Sequence, residues 1–140
     1  MTKAFIDTNI FIDLLADRRP FSKFAIEMFD MGGKNKIQLY TSTHIFATTH
    51  YLLKKYIEEK ELRSILLRLL DFVTLISVDA DIVKRSLKSA HKDFEDAIQI
   101  HCAHQIENVD FIITRNVKDF KESGITVLPP DEFLERVDTK

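Results

Sequence analysis

The 140-residue sequence holds one cysteine, three glycines, three prolines and no tryptophan, and each scarcity removes a class of protein. A lone Cys102 cannot close an intrachain disulfide, so a disulfide-stapled scaffold is excluded and a reducing, cytoplasmic setting is expected. Three glycines, two of them adjacent at Gly32 and Gly33, cannot build the glycine-rich loops that cradle nucleotide phosphates, so GxGxxG and GxxxxGK[ST] chemistry falls away. No window approaches the roughly 20 uninterrupted apolar residues of a bilayer span. Asp7 and Asp13 also break the first apolar stretch, which lacks a small-residue cleavage site, so neither a signal peptide nor a membrane partner is expected. Neither sign of charge dominates: 20 Lys plus Arg stand against 22 Asp plus Glu, a net charge of −2. Any contact with a polyanion must therefore come from a local cluster.

What is present reads as one soluble domain over residues 1–140. Hydrophobic residues make up 45% and charged residues 30%, ordinary values for a globular chain, and a domain of this length buries roughly 68% of the surface it exposes unfolded. Short apolar runs at 3–7, 37–41, 73–78, 110–114 and 125–128 predict strands. Between them, residues 9–16, 21–31, 43–57, 59–71, 80–90, 93–106 and 131–137 carry apolar side chains three and four apart, which predicts helices. Gly32-Gly33 is expected to end the second helix, and Pro129-Pro130 to introduce the last one. Strand alternating with helix implies a parallel sheet of about five strands with helices on both faces, a three-layer α/β/α sandwich.

In such sheets ligands sit beyond the carboxyl ends of the strands, where the strand order reverses. The stretch FIDTNIFIDLL places Asp7 at the end of the first strand, followed at once by Thr8 and Asn9. In FIITRNVKDF, Thr114, Arg115 and Asn116 leave the fourth strand and Asp119 follows a turn later. In KDFEDAIQIHCA, Asp93 and Asp96 are three apart at the start of a helix, about 60° from one another around its axis, so they can share a target. Carboxylates gathered in a cleft repel unless a cation joins them, and Mg2+ or Mn2+ suits such hard oxygen donors. As helix caps, Asp7 and Asp93 also have an ordinary structural role.

These three segments, in this order and spacing, resemble the signature segments of PIN domains over nearly the whole chain. The nearest likeness is a bacterial, VapC-like branch in which DFEDA and TRNxxDF occur together. The resemblance implies an α/β/α fold and a Mg2+- or Mn2+-dependent endoribonuclease, in many relatives the toxin of a toxin–antitoxin pair. It makes Asp7 and Asp96 metal ligands, and with Asp119 the catalytic acids. Asn9, Asp93, Thr114 and Asn116 become supporting residues. Two family positions differ: Thr48 stands near the place of an acid in the helix after the second strand, and Asn116 stands where the fourth acid usually falls.

Those departures keep a second function in view, a PIN-fold module with weakened catalysis that binds RNA or a protein partner. A phosphatase with an aspartyl nucleophile would want a second acid at position 9, where the chain has Asn9. Arg18, Arg19, Arg115 and Lys118 flank the acidic segments and are the expected RNA-phosphate contacts. Phe21 and Phe24 beside them can stack bases. His44 and His50 lie on the helix that lacks its acid, and His101 and His104 have no complementary pair to complete a zinc site. The apolar residues of YLLKKYIEEKELRSILLRLLDF suit a helical hairpin, with either packing or a homodimer as its use. An RNA substrate, an antitoxin and a second copy are thus the candidate partners.

Overall fold

A computed structural model describes residues 1–138. Five strands, β1 (Thr2–Ile6), β2 (Ile37–Ser42), β3 (Val73–Ile76), β4 (Phe111–Ile113) and β5 (Thr126–Leu128), form one sheet in the order β3-β2-β1-β4-β5. Every pairing is parallel, so each connection crosses over and the helices cover both faces. The order reverses beside β1, whose Ala4, Phe5 and Ile6 are wholly buried. This is the doubly wound α/β sandwich the alternation of patterns implies.

The helices are α1 (Thr8–Leu15), α2 (Phe21–Gly33), α3 (Thr43–Leu53), α4 (Glu59–Leu69), α5 (Ala80–Lys88), α6 (Phe94–His104) and α7 (Pro130–Asp138). On one face α1 packs on α2 and α3, and α2 on α7; on the other, α5 packs on α6, which lies against β2. Phe11 of α1 meets Phe29 and Phe46 edge to face at 5.5 and 5.8 Å, and Phe111 meets Phe133 at 5.7 Å. Ring pairs of this geometry add about 0.5–1.5 kcal/mol each to the area they bury.

Two local expectations are corrected. Gly32-Gly33 ends α2 from within, as its last two residues, and not from beyond a helix closing at Met31. A Cβ on Gly32 would lie 2.9 Å from Leu39 Cδ1, and one on Gly33 2.8 Å from Phe72 Cε1, so these glycines admit neighbouring side chains against the helix. Asp7 is not the last strand residue: β1 closes at Ile6 and Asp7 caps α1. A single 3-10 turn, Val117–Phe120, also follows β4, too short to register as a helical period.

Candidate active site

The carboxyl edge of the sheet is built around β1 and its two neighbours. Asp7 leaves β1 in an extended conformation, and its Oδ1 accepts the Thr8 N–H at 2.8 Å, capping α1. Its backbone N–H donates to the Ile113 carbonyl of β4 at 3.0 Å. Thr114, wholly buried at the end of β4, donates its hydroxyl to Asp7 Oδ2 at 2.7 Å. The same Oγ1 accepts from Asn9 Nδ2 at 3.2 Å and from the Asn116 N–H at 3.0 Å. Asn9 Oδ1 in turn accepts the Arg115 N–H at 3.3 Å. Asp7 therefore has both oxygens oriented from behind by partners that are themselves held.

Asp96 enters from the opposite wall, in the first turn of α6, and Asp93 is that helix's N-cap, accepting the Asp96 N–H at 2.9 Å. Burial pushes the Asp96 carboxyl up to about 7, and the charges of Asp93, Asp119, Asp7 and Glu95 push the same way. Asp7 is raised as well, by burial first and by Asp119, against the lowering effect of its bonds to Thr114 and Thr8. Asp119 stands exposed on the 3-10 turn. The three carboxylates that lie 112 positions apart at their extremes thus feel one another's charge. An open cleft beside them is lined by Asp93, Asp96 and Asp119 together with Lys92, Lys118 and Lys121.

No three His, Cys, Asp or Glu side chains among the described residues are drawn tightly enough to hold a metal ion by themselves. The donor set still fits Mg2+ or Mn2+, because these ions keep several waters and take only one or two carboxylates. Burial is the larger cause of the raised Asp96 carboxyl, and the repulsion from Asp93, Asp119, Asp7 and Glu95 that adds to it is a charge imbalance that a divalent cation would relieve.

The other expected residues divide. Arg18, Arg19 and Lys118 are exposed, and Arg19 also pairs with Asp17 at 3.3 Å. Arg115 is built into the fold: its Nε and Nη2 donate to Asp13 Oδ2 and Oδ1 at 2.7 and 3.0 Å, and its plane lies 4.1 Å from the Phe21 ring centroid. Asn116 supplies its backbone N–H to the site while its side chain is exposed. Thr48 is half-buried on α3.

Three features were not anticipated. Asp13, 1% exposed, is an acid on the buried side of an apolar helix, a signal that asks for a cationic partner but cannot name one. Lys92, not singled out in the sequence, lies on the cleft wall. The third is a buried chain of side chains in which Ser42 Oγ donates to Gln99 Oε1 at 2.6 Å and Gln99 Nε2 meets His44 Nδ1 at 3.0 Å.

A doubly wound parallel sheet with Asp7 following β1, Asp96 in the first turn of α6 and Asp119 on the turn after β4 is an α/β architecture with its acids along the carboxyl edge. The chain belongs to the PIN domain family, whose PIN_3 model matches residues 3–118. It is 29% identical over 142 residues to Ribonuclease VapC1 of Aquifex aeolicus (strain VF5), spanning 98% of this chain and 96% of that protein. Among solved structures it is similar to a toxin-antitoxin complex from Klebsiella pneumoniae, with 30% identity, a TM-score of 0.64, and coverage of 91% of this chain and 97% of that one. It also shares its fold with VapBC-1 from nontypeable Haemophilus influenzae at 18% identity, with a TM-score of 0.68 and coverage of 93% and 99%. No helix among the described residues is long and apolar enough to cross a membrane.

Proposed function

We propose that this chain is a Mg2+- or Mn2+-dependent endoribonuclease acting in the cytoplasm as the toxin of a toxin–antitoxin pair. The observation that carries the reading is the cleft at the sheet edge where Asp93, Asp96 and Asp119 stand together, with the Asp96 carboxyl raised by burial first and then by the charges of Asp93, Asp119 and Asp7. The ribonuclease named in Aquifex aeolicus and the toxin–antitoxin complex of Klebsiella pneumoniae support the same class of activity and an antitoxin as partner.

In this reading Asp7 and Asp96 hold the cation. A divalent ion bound there would supply charge neutralisation on the phosphoryl oxygens and lower the pKa of an attacking water. Thr114 keeps Asp7 Oδ2 in place, and Asn9 and the Asn116 N–H keep Thr114 in place. Asp93 fixes the first turn of α6 and so the position of Asp96. Asp119, the exposed carboxylate, would accept the proton of the water that attacks phosphorus as the P–O bond to the leaving ribose oxygen breaks, that oxygen taking up a proton from solvent. Lys118, Arg18 and Arg19, with Nη1 of Arg115, hold flanking phosphates of the RNA. Tyr51, Leu52 and Tyr56, exposed at the end of α3, offer an apolar surface to the antitoxin or to a second copy.

The loose grouping of the carboxylates favours one alternative, a PIN-fold module that binds RNA or protein without cleaving. Single-stranded RNA incubated with Mg2+ separates the two. Cleavage that disappears in Asp7→Asn and Asp96→Asn while both variants stay folded supports the nuclease. Unchanged cleavage in Asp7→Asn overturns it.

A further inference from the structure

Ser42, Gln99 and His44 form a side-chain chain that the scheme above does not use. Ser42 and Gln99 are 0% and 4% exposed. Ser42 caps α3, its Oγ accepting the Ile45 N–H at 3.0 Å, so its hydroxyl hydrogen needs an acceptor of its own. Gln99 Oε1, at 2.6 Å, is that acceptor. The reverse amide orientation would leave the Ser42 hydrogen buried with no partner, a costly arrangement. Gln99 Nε2 is thereby turned to His44 Nδ1 at 3.0 Å as a donor. A ring nitrogen that accepts carries no hydrogen, so the proton of neutral His44 sits on Nε2.

Strand register and helix spacing put the chain at the same edge of the sheet as the acids. Phe5 pairs with Tyr40 in the register of β1 and β2, which brings Asp7 and Ser42 abreast two residues later. Thr41 Oγ1, donating to the Ile6 carbonyl at 2.9 Å, ties the same two strand ends together. Gln99 follows Asp96 by one turn of α6, about 60° around the helix. His44 and Thr48, four apart and both half-buried, share one face of α3. That face begins at the carboxyl end of β2, next to β1, which Asp7 follows.

We propose that His44, held by Gln99 with its proton on Nε2, donates that N–H to the RNA phosphodiester lying across the acidic edge. The proposal rests on the nuclease reading for its substrate, and it makes His44 a catalytic residue and Gln99 a positioning residue. A neutral N–H donor adds no positive charge that would compete with a cation for Asp7 and Asp96. It stabilises charge as that charge builds on a phosphoryl oxygen.

Histidine-labelled 15N protein supplies readouts that do not depend on cleavage. Two-bond 1H–15N spectra should give His44 the Nε2–H pattern. Single-stranded RNA added with Ca2+ in place of Mg2+ should shift the His44 Nε2 resonance. In cleavage assays, His44→Ala should lower kcat on the order of a hundredfold with little change in KM, and leave the Mn2+-induced rise in Tm intact. His44→Gln, which keeps an N–H at similar reach, should recover part of the loss. An Nδ1–H pattern, a His44 resonance indifferent to RNA, or full activity in His44→Ala overturns the proposal. If the wild-type protein cleaves no RNA with any divalent ion, the nuclease reading falls, and the tautomer and the RNA-induced shift still decide for or against His44.

Discussion

Arg115 and Asp13, 102 positions apart in the chain, meet in a two-point ion pair whose acid is buried in α1 and whose base closes over the Phe21 ring. The pair joins the end of β4 to α1 just behind Asp7. Asp13 is 1% exposed, and the Arg115 guanidinium is the cation that meets its carboxylate. Removing the guanidinium leaves a buried carboxylate alone.

Arg115→Ala should therefore destabilise the fold by about 3 kcal/mol, the lower end of the range for breaking a buried pair, since the Arg115 side chain is 25% exposed. Urea unfolding measures it. Arg115→Lys should recover only part, because an ammonium cannot reproduce the fork that meets both oxygens. A loss below about 1 kcal/mol would mean the pair acts like a surface contact.

The acid cluster predicts a pH dependence of definite sign. Asp96 titrates near 3.8 when unfolded and near 7 when folded, so the folded state holds its proton more tightly. This group favours folding at low pH, and its contribution is lost as pH rises through about 7. Metal-free protein should show that decline in Tm, and Asp96→Asn should flatten it. Mn2+ should raise Tm more near pH 8 than near pH 5, because binding must displace the proton. Equal shifts at both pH values would remove Asp96 from the cation site.

Thr114 is a hub rather than a ligand. Thr114→Val keeps the shape but deletes the donor to Asp7 Oδ2 and the acceptor for Asn9 and the Asn116 N–H. A stability loss of about 1–3 kcal/mol is expected for the groups left unpaired, along with a smaller Mn2+-induced rise in Tm. A variant with lowered stability and an undiminished metal response would limit Thr114 to the fold.

Lys118 and Lys121 line the cleft beside Asp119 and, unlike Arg115, can be removed without opening a buried ion pair. Changing both to Ala should reduce the log–log salt slope of single-stranded RNA binding by about 1.4, two phosphates at roughly 0.7 each. The fold should be untouched. A slope identical to that of wild type would route the RNA over Arg18 and Arg19.

The sheet was legible because strand and helix differ in period. All five strands fall inside or within a residue of the runs at 3–7, 37–41, 73–78, 110–114 and 125–128. Asp7, Asp96 and Asp119 could be singled out because an acid at a strand end or a helix start stands against its apolar neighbours. Contacts between distant segments left no such trace. Asp13 gives no hint of Arg115, and Gln99 gives none of Ser42 and His44, since each partner is fixed only once the crossovers are made. Gly32 and Gly33 read in sequence as a stop, and α2 does end on them; that Leu39 and Phe72 pack closely against them left no trace in the sequence.

Asp7 and Asp119 are attached to the molecule in very different ways. The Asp7 amide is bonded across the middle of the sheet to Ile113, and its strand has neighbours on both sides. Asp119 rides on one 3-10 turn at the surface. Amide exchange at Asp7 should therefore require opening of the whole domain, whereas the Asp119 turn can open alone and often. One acid is set in the frame and another on a surface turn, so any ligand that engages both must order the turn while the sheet-anchored acid stays where folding put it.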